Sequence, residues 1–143
     1  MAAESSATTV WEGDLAHGSG VTTPQSGAFD ATDVSWASRT ARAAGKTSPE
    51  ELLAAAHSSC YCMQLSHELA EAGNPPDRLE ATATLEFVPG EGVTSSRIVV
   101  TGSVPGIDQD TFAAAAASAG DGCPISGALK GNVEITVEAT LET

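Results

Sequence analysis

Basic and aromatic side chains are scarce in this sequence. Only six of its 143 residues are Lys or Arg, against 19 Asp or Glu, so the formal net charge is −13. Nucleic acids and anionic membrane surfaces require a basic footprint on their protein partners, and we therefore expect this chain to bind neither. With three Phe, two Trp and one Tyr, the core must be packed mainly by Ala, Val, Leu and Ile. The length predicts a single domain over residues 1–143.

The sequence also lacks a long apolar run and a secretory signal. No segment approaches the roughly 20 apolar residues that a membrane-spanning helix needs. The first ten residues, MAAESSATTV, contain neither a basic stretch nor an apolar one. We therefore expect a cytoplasmic protein, with residues 1–7 disordered. Three cysteines in such a chain are better explained as reactive, metal-binding or buried thiols than as a disulfide framework.

One long helix is predicted between Ser48 and Gly73. Ser48 is a suitable N-cap, Pro49 occupies the favoured first helical position, and Glu51 completes the pattern of a capping box. Gly73 tolerates the left-handed conformation that ends a helix, and the following Asn-Pro-Pro cannot continue it. Because its middle turns carry few charges, we expect this helix to be covered on several sides.

The rest of the chain predicts an α+β fold in the order βββ–α–ββ–αα–β, with antiparallel sheets around the central helix. The predicted strands cover residues 8–15, 21–29, 34–36, 79–88, 98–104 and 132–142, and the two short helices lie near 113–117 and 124–130. Residues 39–47 form a loop into the central helix that holds three of the six basic residues. Six strands flanking one buried helix favour a dimer.

The cysteines differ in their surroundings. Cys60 lies about 18 Å beyond the start of the central helix, so the helix dipole cannot activate it, and a buried structural thiol is one explanation. Cys123 precedes Pro124 at a helix N-terminus, where free N–H groups would lower a thiol pKa. On these grounds alone Cys123 is the more acidic thiol. Cys62 points about 200° away from Cys60 on a helix, so the two cannot pair.

Histidines raise two further hypotheses. His57, three residues before Cys60, is either a base or a packed, hydrogen-bonded side chain, and a Cys–His hydrolase built on these two residues is one possible activity. A zinc site formed with His67 is disfavoured because no CxxC-type spacing occurs, so no metal is expected. Two cysteines on separate elements and an arginine-bearing loop fit a peroxide-reducing thiol, which needs a thiolate, a cation and a resolving thiol.

Five segments resemble the osmotically inducible protein C and organic hydroperoxide resistance (OsmC/Ohr) family, and most closely its OsmC branch. They occur in family order: WEGD at 11–14, GKTSPEEL at 45–52, AAAHSSC at 54–60, VPGID at 104–108 and GCPIS at 122–126. The resemblance implies an intertwined homodimer and a cysteine-based peroxidase for organic hydroperoxides and hydrogen peroxide, acting in oxidative or osmotic stress defence. It implies no bound cofactor, but an external thiol or lipoyl-type dithiol reductant.

The resemblance also implies the roles of individual residues. Cys60 falls on the peroxidatic position and Cys123 on the resolving one, which overrules the choice of Cys123 as nucleophile. Arg39 falls on the arginine that stabilises the thiolate, with Arg42 as a competing candidate, and Glu50 falls on its carboxylate partner. Ten helical residues separate Glu50 from Cys60 by about 15 Å, so we expect Arg39 and Glu50 to complete the partner subunit's site. A stress-induced protein that only binds or senses is the alternative function.

Overall fold

The computed structural model describes residues 2–41 and 45–142. Within them the chain forms six strands and four helices: β1 (Ala7–Glu12), β2 (Ser19–Pro24), β3 (Thr32–Val34), α1 (Trp36–Ala41), α2 (Pro49–Glu71), β4 (Arg78–Val88), β5 (Gly92–Ser103), α3 (Gln109–Gly122), α4 (Pro124–Leu129) and β6 (Glu134–Leu141). This is the predicted α+β order with one helix added. The described residues divide between Leu52 and Leu53 into two compact units. No helix in the described ranges has the length and apolarity to cross a membrane.

The first unit contains an antiparallel sheet in the order β1–β2–β3. The predicted third strand is present but covers Thr32–Val34 and not 34–36, and the predicted loop at Arg39 is wrong, because helix α1 begins at Trp36. Ser35 and Ser38 explain the difference. The Ser38 N–H donates to the Ser35 hydroxyl at 3.1 Å, and the Ser35 N–H donates to the Ser38 hydroxyl at 2.9 Å. This reciprocal cap starts a helix where the sequence pattern predicted extended chain.

The second unit contains a sheet in the order β4–β5–β6. Strands β4 and β5 form the predicted antiparallel hairpin, but β5 begins at Gly92 and not at residue 98. Strand β6 pairs with β5 in parallel, so the prediction that both sheets are purely antiparallel is wrong. The chain returns to the sheet through α3 and α4, and such a crossover connection brings a strand back in the direction of the one it left.

Helix α2 has the ends that the sequence predicts. The Ser48 hydroxyl accepts the Glu51 N–H at 3.1 Å. The Glu51 carboxylate accepts the Thr47 hydroxyl at 2.7 Å, so the capping box is made from one side only. Gly73 adopts φ +89°, and the next N–H, of Asn74, reaches back to the Leu69 carbonyl at 2.8 Å. These bonds satisfy backbone groups that a helix end would otherwise leave unpaired.

Opposite faces of α2 differ in burial. Every fourth residue along one stripe is buried: His57, Tyr61, Leu65 and Leu69. This stripe packs in a core that includes Ile98 and Val100 of β5 and Phe112 of α3. The other face, with Ala55, Ser59, Met63 and His67, is exposed, and Met63 has 72% of its surface accessible. A single chain therefore covers one side of the helix, and coverage on several sides stays a prediction that requires a partner.

Candidate active site

The fold brings Cys60 and Cys123 together, although 63 positions separate them. Cys60 lies in the middle of α2 and is partly accessible, whereas Cys123 is 1% exposed. Cys123 forms the corner between α3 and α4: its N–H donates to the Ala119 carbonyl at 3.0 Å, and its carbonyl accepts the Gly127 N–H at 3.0 Å. This corner directs the Cys123 thiol and the Ile125 N–H towards the Cys60 sulfur. Both sulfurs are free thiols here.

The surroundings of Cys60 within the described chain disfavour its thiolate. Burial raises the pKa of the Cys60 thiol, the adjacent Cys123 thiol raises it further, and only the Ile125 N–H opposes them. None of the described groups that shift this pKa is a cation. A thiol in this state is a poor nucleophile at neutral pH, because the thiolate is the attacking form. The cysteine therefore needs a cation to become reactive.

The expectation that helix-terminal amides serve Cys123 needs correction. Cys123 is the N-cap of α4 and Pro124 follows it, but the Cys123 side chain makes no capping hydrogen bond. The N–H of Ile125, at the second helical position, instead lowers the pKa of Cys60. The helix terminus therefore favours the thiolate of Cys60.

Arg39 and Glu50 form a partly buried ion pair in the first unit. The Arg39 Nε–H donates to Glu50 Oε1 at 2.8 Å, and Glu50 is 3% exposed while Arg39 is 31% exposed. The Arg39 guanidinium also lies 5.9 Å from the centre of the Trp36 ring, within the range of a cation–π contact. Two predicted site residues are thus paired and held in place. Arg42, the competing cation, lies outside the described residues.

A cavity of about 310 Å³ lies beside this ion pair. Its walls are mostly apolar and include Trp11, Leu15, Val34, Trp36 and Leu52, with Arg39 as the charged member. All of these residues belong to the first unit. A space of this kind, apolar with one fixed cation, suits a small apolar molecule that carries a polar or developing negative end.

His57 is a fully buried, hydrogen-bonded side chain. Its Nδ1 lies 2.7 Å from the Ser96 hydroxyl of β5, and its Nε2 lies 2.8 Å from the Ser126 hydroxyl of α4. Burial lowers the pKa of His57, so the neutral ring is favoured. With both ring nitrogens engaged by serines, the structure favours a packed histidine over a base acting on Cys60.

The buried, neutral His57 predicts acid-sensitive stability. The free energy of unfolding should decrease as the pH falls below about 6.5, the ordinary histidine pKa, because the unfolded chain then takes up a proton that the folded chain excludes. The contribution of one such histidine is at most about 1.4 kcal/mol per pH unit. Urea unfolding of the wild type and of His57→Gln between about pH 7 and about pH 5 measures it.

Glutamine retains hydrogen-bonding capacity but cannot titrate in that range, so the His57→Gln variant should be less stable yet show a shallower pH dependence. His17 and His67 are common to both proteins and cancel in the comparison. Equal slopes for the two proteins would contradict a titration of His57.

The remaining predicted candidates have other surroundings. Cys62 is half-buried, and burial raises its pKa. It lines an open groove on the second unit with Met63, His67 and Arg78. His17 is exposed and bonds to the Asp14 carboxylate at 3.1 Å. In residues 2–41 and 45–142, no three His, Cys, Asp or Glu side chains are grouped so as to hold a metal ion.

Sequence reasoning missed two buried serines that bond to His57. Ser126 lies within the GCPIS segment but received no role, and Ser96 lies on the core face of β5 beside the buried Ile98 and Val100. A polar side chain in the apolar register of a strand was the available signal, because buried hydroxyls need a hydrogen-bond partner. That partner, His57, is 39 residues from Ser96, and the sequence does not indicate that these two residues pair.

Known proteins are similar to this chain in sequence and in fold. The model of the OsmC-like protein family matches residues 42–138. Peroxiredoxin OsmC of Escherichia coli (strain K12) is 38% identical over 136 residues, which cover 93% of this chain and 93% of that protein. Among solved structures, the organic hydroperoxide resistance protein OhrB of Bacillus subtilis superposes with a TM-score of 0.68 at 25% identity, covering 94% of this chain and 98% of that one.

A second solved structure shows the fold at lower sequence identity. The organic hydroperoxide resistance protein of Elizabethkingia anophelis gives a TM-score of 0.71 at 20% identity and covers 98% of this chain and 100% of that one. At this identity the similarity concerns the fold alone. The arrangement of helices and sheets described above is therefore shared by proteins with quite different side chains.

Proposed function

Because the chain belongs to the OsmC-like protein family, we propose that it is a thiol-dependent peroxidase that reduces organic hydroperoxides, and hydrogen peroxide as well. Its similarity to a protein named peroxiredoxin supports a redox role of this kind. The observation that carries the proposal is the proximity of the Cys60 and Cys123 thiols in the core. A peroxidase of this type requires one thiol to react with peroxide and a second to resolve the product.

The proposed reaction has two steps on the protein. The Cys60 thiolate attacks the terminal oxygen of the hydroperoxide; the O–O bond breaks, the alkoxide takes a proton and leaves as the alcohol, and Cys60 becomes a sulfenic acid. The Cys123 thiol then attacks the Cys60 sulfur, an S–S bond forms, and the hydroxyl leaves as water. Two electrons have passed from the two thiols to the peroxide.

We propose that an external thiol or lipoyl-type dithiol reductant reduces the disulfide. Exchange with the dithiol restores both protein thiols and leaves the reductant as its own disulfide. The electrons come from that dithiol, so no bound cofactor is needed. A requirement for dithiols and the small number of cysteines are both consistent with the cytoplasm.

Arg39 is proposed to supply the cation that Cys60 lacks. Its pairing with the buried Glu50 fixes the guanidinium, and a fixed cation near a thiol favours the thiolate. We propose that Arg39 and Glu50 act on Cys60 of the partner subunit in a homodimer. Glu50 and Cys60 are ten residues apart on one continuous helix, about 15 Å along its axis, which supports this assignment.

Exposed apolar surface supports the dimer. Every residue of β1 is exposed, including Val10 at 60% and Trp11 at 39%. On α2, Met63 is 72% exposed and lies three residues beyond Cys60. Apolar side chains exposed on a protein surface can mark an interface, and each of these two surfaces is a candidate for one. A second copy would cover these surfaces and would keep bulk water away from the reacting thiol.

The apolar cavity beside Arg39 supports a preference for organic hydroperoxides. Trp11, Leu15 and Trp36 can receive an apolar substituent, while the guanidinium attracts the peroxide group, whose oxygen develops negative charge as it leaves. Hydrogen peroxide has no such substituent and gains nothing from these walls. We therefore propose a higher kcat/KM for hydroperoxides with bulky apolar groups.

Adding one equivalent of cumene hydroperoxide tests this function. The reduced protein should consume the peroxide and acquire a Cys60–Cys123 disulfide, seen by mass spectrometry as the loss of two hydrogens and as one cross-linked peptide pair. Unchanged thiols would instead favour a protein that only binds. Hydrolysis of an ester or thioester without loss of peroxide would point to the Cys60–His57 hydrolase.

A further inference from the structure

A buried hydrogen-bond network joins α2, which carries Cys60, to α4, which follows Cys123. It consists of Ser96, His57 and Ser126, and none of these side chains is more than 2% exposed. The network links three elements, because Ser96 lies on β5, His57 on α2 and Ser126 on α4. The two serines are 30 residues apart in sequence, and the ring of His57 bonds to both.

The positions of these residues relative to the cysteines are specific. His57 lies one helical turn before Cys60, so the ring and the thiol belong to neighbouring turns of one rigid helix. Ser126 lies three residues after Cys123, inside the first turn of α4. The bond between His57 and Ser126, at 2.8 Å, therefore connects the two cysteine-bearing segments within one turn of each thiol.

Helix α4 is held by Ile125, which packs against the core, and by the buried Ser126. It is six residues long, and its N-cap, Cys123, makes no side-chain capping bond. Helices of this length are marginal without tertiary contacts. Ser126 is its buried residue, and the hydroxyl of that serine bonds to the His57 ring. This contact therefore helps to set the position of the corner at Cys123.

The neutral ring suits such a contact. Burial lowers the pKa of His57, and a neutral imidazole carries one donor and one acceptor. One serine hydroxyl donates to the ring while the other accepts from it, and both hydroxyls can rotate to match either tautomer. The hydrogen-bonding groups of this network are therefore satisfied without a buried charge, and His57 does not compete for the proton of Cys60.

We propose that His57 is a positioning residue that, through Ser126, holds Cys123 within reach of the Cys60 sulfenic acid, so that disulfide formation outruns a second oxidation. The inference rests on the proposed peroxidase function. Disulfide formation requires the two sulfurs to approach to about 2.05 Å with a defined torsion angle, which makes it sensitive to small displacements of α4. A sulfenic acid that waits for its partner is oxidised irreversibly to the sulfinic acid.

Ser126→Ala and Ser96→Ala form a matched pair that tests the proposal. Each substitution removes one buried hydroxyl that bonds to the His57 ring, so both should lower the melting temperature by a similar amount. Only Ser126→Ala removes the bond between His57 and α4. It should slow formation of the Cys60–Cys123 disulfide by roughly tenfold to hundredfold, which is the usual effect of a small misplacement of reacting groups. Formation of the Cys60 sulfenic acid, trapped with dimedone, should stay within about twofold of the wild type.

Overoxidation gives an independent readout. With excess cumene hydroperoxide, Ser126→Ala should accumulate Cys60 sulfinic acid over successive turnovers, whereas Ser96→Ala and the wild type should not. Ser126→Thr keeps the hydroxyl and should restore fast disulfide formation. Equal disulfide rates in the two alanine variants, whether both slow or both unchanged, would overturn the proposal.

The same variants separate this inference from the function on which it rests. If the wild type consumes no peroxide, the peroxidase proposal fails, and disulfide formation is then driven with diamide. Diamide adds to one thiol, and the second thiol displaces it as the hydrazine, so the coupling step still requires the two sulfurs to meet. Slower coupling in Ser126→Ala than in Ser96→Ala would uphold the positioning role, and equal coupling would end it.

Discussion

Replacing Cys60 with serine is expected to reduce peroxide consumption to the uncatalysed background. A serine hydroxyl is not ionised at neutral pH and is a far weaker nucleophile towards the O–O bond than a thiolate. The substitution removes one sulfur and adds an oxygen of similar size at a partly accessible position, so the fold should survive. Peroxide loss followed by a ferric xylenol orange assay, with circular dichroism as the check on folding, measures the effect.

Cys123→Ser separates the two chemical steps. This variant should consume about one equivalent of peroxide per chain and then stop or overoxidise, because the sulfenic acid forms but meets no second thiol. Intact-mass spectrometry should show Cys60 as the sulfenic and then the sulfinic acid. The two cysteines would thus have different phenotypes despite being neighbours in the structure.

Cys62→Ser provides the matched control. Cys62 is two residues from Cys60 on the same helix but points about 200° away, and the Ala81 backbone, not Cys123, is the neighbour that lowers its pKa. The variant should retain peroxidase activity and form fewer disulfides between molecules. Undiminished consumption by Cys60→Ser, or loss of activity in Cys62→Ser, would rule out the proposed assignment.

Local sequence signals were sufficient for helix α2. Its N-cap at Ser48 and its glycine stop at Gly73 depend on residues within a few positions of each other, and both are found in the structure. The hairpin of β4 and β5 was likewise predictable from alternation and a Gly-rich turn. Such features follow from short-range chemistry, which the sequence displays directly.

Features that depend on tertiary pairing were harder to predict. The polar segment at the start of β5 does not have the sequence pattern of a strand. Ser96 nevertheless faces the core, because its hydroxyl forms a hydrogen bond with His57. The parallel pairing of β6 follows from the crossover through α3 and α4 and not from the strand itself. Helix α1 was hidden because two serines, not the expected acidic residue, make its cap.

Some features of the candidate site were likewise predictable from the sequence, and others required the structure. Composition and motif spacing selected the cysteines, and the family resemblance assigned their order. Sequence physics alone favoured Cys123, since only the fold reveals that the Ile125 N–H reaches Cys60. The pairing of Arg39 with Glu50 was implied by the resemblance and is present at 2.8 Å. The role of His57 required coordinates, because both of its partners lie more than 30 residues away.

Mixed dimers are expected to recover activity from two inactive proteins. Arg39→Ala should lower peroxidase activity about 10- to 1000-fold at neutral pH, since a nearby cation lowers a thiol pKa by about 1 to 3 units. The activity of this variant should rise as the pH increases and Cys60 ionises unaided. Cys60→Ser has no nucleophile but an intact Arg39. If Arg39 serves the partner's cysteine, a dimer containing one chain of each kind has one complete site.

Co-expression of the two variants with different affinity tags gives a quantitative test. Random pairing makes about half of the dimers mixed, each with one working site out of two, so about a quarter of wild-type activity should return. Tandem purification of the mixed dimers alone should raise this to about half. As a matched control, a dimer of Cys60→Ser with a chain carrying both Cys60→Ser and Arg39→Ala has no nucleophile and should stay inactive. Mixed dimers that form but remain inactive would show that Arg39 acts on the Cys60 of its own chain.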